Sequence, residues 1–130
     1  MSPGVALLLW SLVLLEVKHV VFDFVLQTTY LYRNKGTYGH PAGFVHAGLH
    51  AVGSIPAVLI ITKTAWLVVA ILAAEFVVHY HVDWSKQQID KRYGFTVNQS
   101  RYWIVFGVDQ LAHQMTYVVI LAVLARAANL

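Results

Sequence analysis

Four long apolar runs, roughly residues 4 to 32, 42 to 62, 64 to 92 and 98 to 126, fill most of the chain and are separated by short polar connections. A helix needs about 20 apolar residues to cross the hydrocarbon core of a bilayer. Each run meets that length. The pattern therefore predicts an all-α integral membrane four-helix bundle of up-down topology, forming one transmembrane domain over residues 1–130. Local signals place the ends. Ser2-Pro3 reads as an N-cap followed by proline at the first helical position, and Pro41 opens the second run. Gly36 and Gly94 follow basic helix ends, where glycine tolerates the left-handed closing conformation. Thr96 to Gln99 has capping-box spacing. Ala42, Gly43, Ala47, Gly48, Ala51, Gly53 and Ser54 make the second run the one expected to pack most closely, with a kink at Pro56. Trp10 and Trp66 lie towards one membrane face, and Tyr30, Tyr32, Tyr102 and Trp103 towards the other, as aromatic belts do.

Composition strengthens this reading. The chain is 58% hydrophobic with a mean hydropathy of +0.62, more apolar than a soluble domain needs. The N-terminal run has no basic leading segment and no small-residue cleavage site, so it is expected to remain as a helix. Cysteine is absent, which excludes disulfides, thiolate ligation and cysteine nucleophiles. The net charge of +3 does not point to nucleic acid, because its distribution is a topology signal. Arg33 and Lys35 lie in the first connection and Lys86, Lys91, Arg92 and Arg101 around the third, against Lys63 and Arg126 on the opposite side. The positive-inside rule then puts the first and third connections in the cytoplasm and both termini outside.

Ionisable residues within the apolar runs follow a rule of their own. The runs carry His19 and Asp23, His46 and His50, Glu75, His79 and Asp83, and Asp109 and His113, all at four-residue spacing. Such pairs share one helical face, one turn apart. At about 1.5 Å per residue, all but Glu75 and His46 fall roughly 13 to 21 Å from the basic ends of their helices. His46 counts as shallower, about 8 Å in, at the mouth of the layer. Glu75 lies a turn deeper than His79. The halves also repeat: His19, Asp23, Phe24 and Gln27 match His79, Asp83, Trp84 and Gln87 as H-x-x-x-D-aromatic-x-x-Q. Tyr38-Gly39 matches Tyr93-Gly94, and His46 and His50 match Asp109 and His113. Two helices per unit imply a pseudo-two-fold axis along the membrane normal.

Interhelical hydrogen bonding alone, at about 0.6 kcal/mol per contact, is a poor return for inserting each Asp at about 2.5 to 3.5 kcal/mol. Clustered carboxylates call for cations, and Lys18 and Lys86 are the only Lys or Arg expected near the layer. The expectation is one or two divalent ions, Zn, Mn or Fe, held by His19, Asp23, His46, His50, His79, Asp83, Asp109 and His113. Gln27, Gln87, Gln110 and Gln114 are candidates for orienting those ligands. His81, about 200° round the helix from His79, is expected off the site, and His40 in a loop. Glu16 and Lys18 read as a surface pair. Nitrogen and oxygen ligands from four helices suit metal-activated water attacking an ester or phosphoester. Glu75 or a ligand-free carboxylate would act as base, with Lys86 and Arg101 binding substrate anions. Two other readings use the same residues: a divalent-metal or proton transporter, and a structural protein whose polar layer fixes helix packing. The featureless stretches VALLLWSLVLL and AWLVVAILAA argue against a continuous conduit.

The segments KHVVFDFVLQT, YGHPAGFVHAGLHA, AEFVVHYHVDWSK and FGVDQLAHQMTY resemble a family of small bacterial and phage membrane proteins catalogued as a domain of unknown function. In size, topology and Asp/His content the chain is more loosely similar to bacterial membrane-bound metal-dependent hydrolases. The resemblance implies no established activity; with the apolar runs and the charge distribution, the expectation is a multi-pass protein of the bacterial inner membrane. Its expected partners are the lipid bilayer and a lipid or lipid-linked substrate, and a homo-oligomer is compatible with it.

Overall fold

In the computed structural model, which describes residues 1–130, six α-helices build four membrane spans. Helix α1 (Pro3–Val20) runs into a π-helical turn (Val21–Val25), and a short helix α2 (Thr29–Asn34) follows. The second span is α3 (Pro41–Gly53) continued by α4 (Ile55–Leu59), the third is α5 (Ala65–Tyr93) and the fourth α6 (Ser100–Ala127). Contacts of α3 with α5, α5 with α6, and α1 with both α4 and α6 close the spans into an up-down four-helix bundle. Valines, leucines and aromatics, Trp10, Trp66 and Trp103 among them, are exposed around its outside. A soluble monomer would not present so much apolar surface. The chain is a multi-pass membrane protein.

Caps explain most boundaries. Ser2 Oγ accepts from Val5 N at 3.3 Å, with Pro3 at the start of α1. His40 Nδ1 accepts from Ala42 N at 3.1 Å to open α3. Gly94, at φ +59°, closes α5, and its counterpart Gly39 in the other half has φ +78°. The capping-box residues form only half of the motif. Gln99 Oε1 accepts from Thr96 N at 3.0 Å, but this closes a turn, and α6 begins one residue later at Ser100.

The first apolar run departs from the single helix expected over 4 to 32. At Asp23 the chain widens into a π turn, with Leu26 N donating to Val21 O at 2.8 Å. Gln27 Nε2 donates to the Asp23 carbonyl, and Thr28 Oγ1 then caps α2 by accepting from Leu31 N at 3.3 Å. Local side-chain bonds thus replace the helical ladder over residues 26 to 28. This break ends the first helix well short of residue 32. Of the two basic residues of this connection, Lys35 is buried and Arg33 is exposed.

The second span is the most enclosed of the four. Its glycines do unequal work. A Cβ on Gly43 would lie 2.7 Å from Tyr80 Cε2 of α5, and one on Gly53 would collide with the Phe22 ring, whereas Gly48 meets nothing closer than 3.9 Å. Gly43→Ala is expected to destabilise the bundle by about 1–3 kcal/mol through overpacking, and Gly48→Ala far less. Unfolding midpoints of the two variants in one detergent check this. The span bends at Ser54, two residues before Pro56, which has no N–H to donate. Ser11 Oγ of α1 donates to the Ala57 carbonyl there at 2.8 Å. Beyond this point Leu15, Ala57, Val58, Leu67, Ile71, Tyr117, Ile120 and Leu124 form a buried apolar core that fills one end of the bundle.

Candidate functional site

Below that core the polar layer converges. His46, His50, His79 and His113 are each at most 2% exposed, and their rings adjoin one another. Centroid separations are 4.9 Å for His46–His50, 3.8 Å for His50–His79 and 4.3 Å for His79–His113. Two groups of potential ligand atoms result, each within 4.8 Å of one another: Asp23, His46, His50 and His79, and His79, Asp83 and His113. His79 belongs to both. Asp23 Oδ1 lies 2.9 Å from His46 Nε2 and 3.3 Å from His50 Nε2. Asp83 Oδ2 lies 3.1 Å from His46 Nε2 and 3.4 Å from His79 Nε2. A tetrahedral ion with bonds of about 2.0–2.1 Å holds its ligand atoms about 3.3–3.4 Å apart, so these spacings are close to those of a ligand shell.

Hydrogen bonding points the same way. Asp23 Oδ1 and the Nε2 atoms of His50, His79 and His113 are buried without a hydrogen-bond partner in the chain. Leaving such an atom unpaired costs about 1–3 kcal/mol. His113 Nδ1–H donates to the Asp109 carbonyl at 2.9 Å, which fixes the tautomer that leaves Nε2 a free lone pair. Lys18 Nζ pairs with Glu75 Oε1 and lies 3.2 Å from the His50 carbonyl and 3.4 Å from His50 Nδ1. Ligation through His50 Nε2 places its ring proton on Nδ1, with the Lys18 ammonium donating to Glu75 and the carbonyl. Four carboxylates, Asp23, Glu75, Asp83 and Asp109, face two ammonium groups, Lys18 and Lys35. The surplus is two negative charges with neutral imidazoles, which matches one divalent cation.

The remaining expected residues fall outside both groups. His19 uses both nitrogens: Nε2–H donates to Gln110 Oε1 at 3.0 Å and lies 3.3 Å from Asp23 Oδ2, and Nδ1 accepts from Tyr117 at 3.0 Å. It orients Asp23. Asp109 Oδ2 accepts from Gln110 at 3.1 Å, while its Oδ1 is unpaired. Glu75 is committed to Lys18, and Lys86 to Asp90 at 2.7 Å. Arg101 is exposed, beside the Phe95 ring. His46 is not at the mouth. It lies between Asp23 and Asp83, because the loop through Lys35 folds over the start of α3. Off the site, as expected, His81 bonds Val77 O and Tyr38.

Sequence reasoning missed the roles of Tyr117 and Lys35, and placed Lys18 near the layer without giving it a partner there. Lys18, read as half of a surface pair, is 6% exposed, on the buried stripe Ser11, Leu15, Lys18. That i, i+4, i+7 spacing was a usable signal. Tyr117 extends the Asp109, His113 face by one turn. Lys35 gave no signal: its Nζ reaches Asp83 Oδ2 at 2.9 Å and His46 Nε2 at 3.3 Å only because the chain breaks after Val25. Between the layer and the basic end lies a polar cavity of about 270 Å³ lined by Asp23, Lys35, Asp83, Lys86, Asp109 and Gln110, among others.

Fold and site together define a class: four-helix integral membrane proteins with a buried histidine–aspartate centre. Residues 11–130 match the family described as Protein of unknown function (DUF3307), and the chain belongs to that family. No curated protein and no solved structure matches it.

Proposed function

We propose that this protein is a membrane-embedded metal-dependent hydrolase of an ester or phosphoester, working at the polar cavity beside the histidine–aspartate centre. One observation carries the reading: buried, unpartnered Nε2 and carboxylate atoms from all four spans converge at ligand-shell spacing. One or two divalent ions, Zn, Mn or Fe, suit this donor set. Bound there, such an ion would supply Lewis acidity and lower the pKa of water. Asp23, His46, His50, His79, Asp83 and His113 would hold it, and His19 and Lys18 would orient Asp23 and His50. Asp109 lines the cavity and its Oδ1 has no hydrogen-bond partner, which suits the role expected of a ligand-free carboxylate. It would take the proton of the attacking water as the new bond to carbon or phosphorus forms, and return it to the leaving oxygen. Lys35 and Lys86 would face the developing negative charge.

The apolar core closes the bundle on the far side of the layer, which favours a dead-end site over a transport path. The cavity opens towards the basic end, which the positive-inside rule assigns to the cytoplasmic face of a bacterial inner membrane. Elemental analysis of protein purified in detergent without chelator should find stoichiometric divalent metal, and chelation should abolish hydrolysis of liposomal ester or phosphoester lipids. Metal-free protein under those conditions would overturn the proposal and favour a purely structural layer.

A further inference from the structure

A second, larger cavity of about 580 Å³ runs between α5 and α6. Its walls are almost entirely apolar and its side chains short: Val77, Val78 and Val82 from α5 face Val105, Val108 and Ala112 from α6. Both helices are membrane spans, and Val77 and Val108 are exposed, so the groove opens sideways into the hydrocarbon core. Along α5 it extends from Val77 to Ile89, about 18 Å at 1.5 Å per residue. Lys86 and Asp109 line this groove and the polar cavity alike, so the two hollows meet at those side chains.

Their depths are ordered. Ile89 and Ile104 line the shallow mouth, Lys86 lies about 10 Å from the basic end of α5 and Asp109 about 14 Å from the start of α6, and Val82 to Val77 continue deeper. That sequence of cation, carboxylate and apolar channel is the order of phosphate, glycerol linkage and acyl chain in a phospholipid of the same leaflet. Lys86 Nζ has three donors and gives one to Asp90, so it retains capacity for a phosphate oxygen.

We propose that the α5–α6 groove binds one acyl chain of an anionic membrane phospholipid with its phosphate at Lys86. The substrate class of the centre is then an anionic phospholipid that enters laterally, with its glycerol linkages at the level of Asp109. Only the word substrate in this proposal rests on the hydrolase reading; the binding site does not.

The test uses the full chain in phosphatidylcholine nanodiscs doped with a photoactivatable, diazirine-bearing phosphatidic acid, with crosslinked residues mapped by mass spectrometry. Crosslinks are expected to concentrate on groove residues such as Val82 and Val108. Unlabelled phosphatidic acid should compete for them and extra phosphatidylcholine should not. Lys86→Gln should cut the preference for the anionic lipid about fivefold, the effect of one basic residue near a lipid surface. Val108→Trp, at an exposed wall position, should block labelling, and Val118→Trp, exposed about 80° round α6 from Val108 and outside the groove, should not. Should Val108→Trp fail to fold, Ala112→Leu narrows the same groove. Labelling spread evenly over the outer faces, as for bulk lipid, would overturn the proposal, as would a groove shielded by a second copy of the chain in crosslinked dimers. Because crosslinking needs neither metal nor turnover, groove labelling in a protein that releases no product would sink the hydrolase reading alone.

Discussion

Replacing His79 with alanine is expected to weaken metal binding about 100-fold or more, measured as metal content and as loss of a metal-dependent rise in the unfolding midpoint. His79 is the residue shared by both ligand groups, 2% exposed and stacked on His50. Groups that merely orient a ligand contribute about 10–100-fold to metal affinity, so a lost ligand costs about 100-fold or more. A metal at 100 times its dissociation constant stabilises the folded state by about 2.7 kcal/mol, and this increment should vanish in His79→Ala. His40→Asn, which keeps an N-cap acceptor for α3, should preserve the increment. Asp109→Asn should retain the metal and lose hydrolysis, since it removes a proton acceptor outside both ligand groups. A His79→Ala protein that still binds stoichiometric metal with unchanged affinity would show that the centre lies elsewhere.

Lys18→Met is expected to cost about 3–5 kcal/mol of stability, because it strands the buried Glu75 carboxylate without its counter-charge. Glu75 is 1% exposed and Lys18 6%, and the pair joins α1 to α5 just beneath the apolar core. The double variant Lys18→Met with Glu75→Leu should recover most of that loss, since an apolar pair of similar volume needs no desolvation. Metal affinity should not recover with it, because the Lys18 hydrogen bond to the His50 carbonyl is lost in both variants. Unfolding and metal titration on wild type, Lys18→Met, Glu75→Leu and the double variant separate the two effects. Equal stability in the single and double variants would mean that the pair is not coupled.

The positions of the layer were legible because periodicity fixes faces. Four-residue spacing puts His19 with Asp23, His79 with Asp83 and Asp109 with His113 whatever the helices pack against. The paired distances of 3.3 Å for His19–Asp23 and 3.4 Å for His79–Asp83 repeat the same geometry in the two halves. Roles within the layer were not legible. His19 and His79 occupy matching places in the repeat, yet one is saturated by Gln110 and Tyr117 and the other lies between two groups of ligand atoms. Their neighbours on other helices differ, and no spacing within one helix encodes those neighbours.

The sequence alone determined the membrane class, the four spans and the helical faces that carry the polar layer, since length, hydropathy and helical period act locally and survive any packing arrangement. The tertiary structure decided which cations neutralise which carboxylates. Lys18 turns inward because Glu75 of another helix needs a partner in a medium of low dielectric. Lys35 reaches Asp83 because a π turn at Asp23 and the break after it redirect the chain, which no count of residues along a straight helix anticipates.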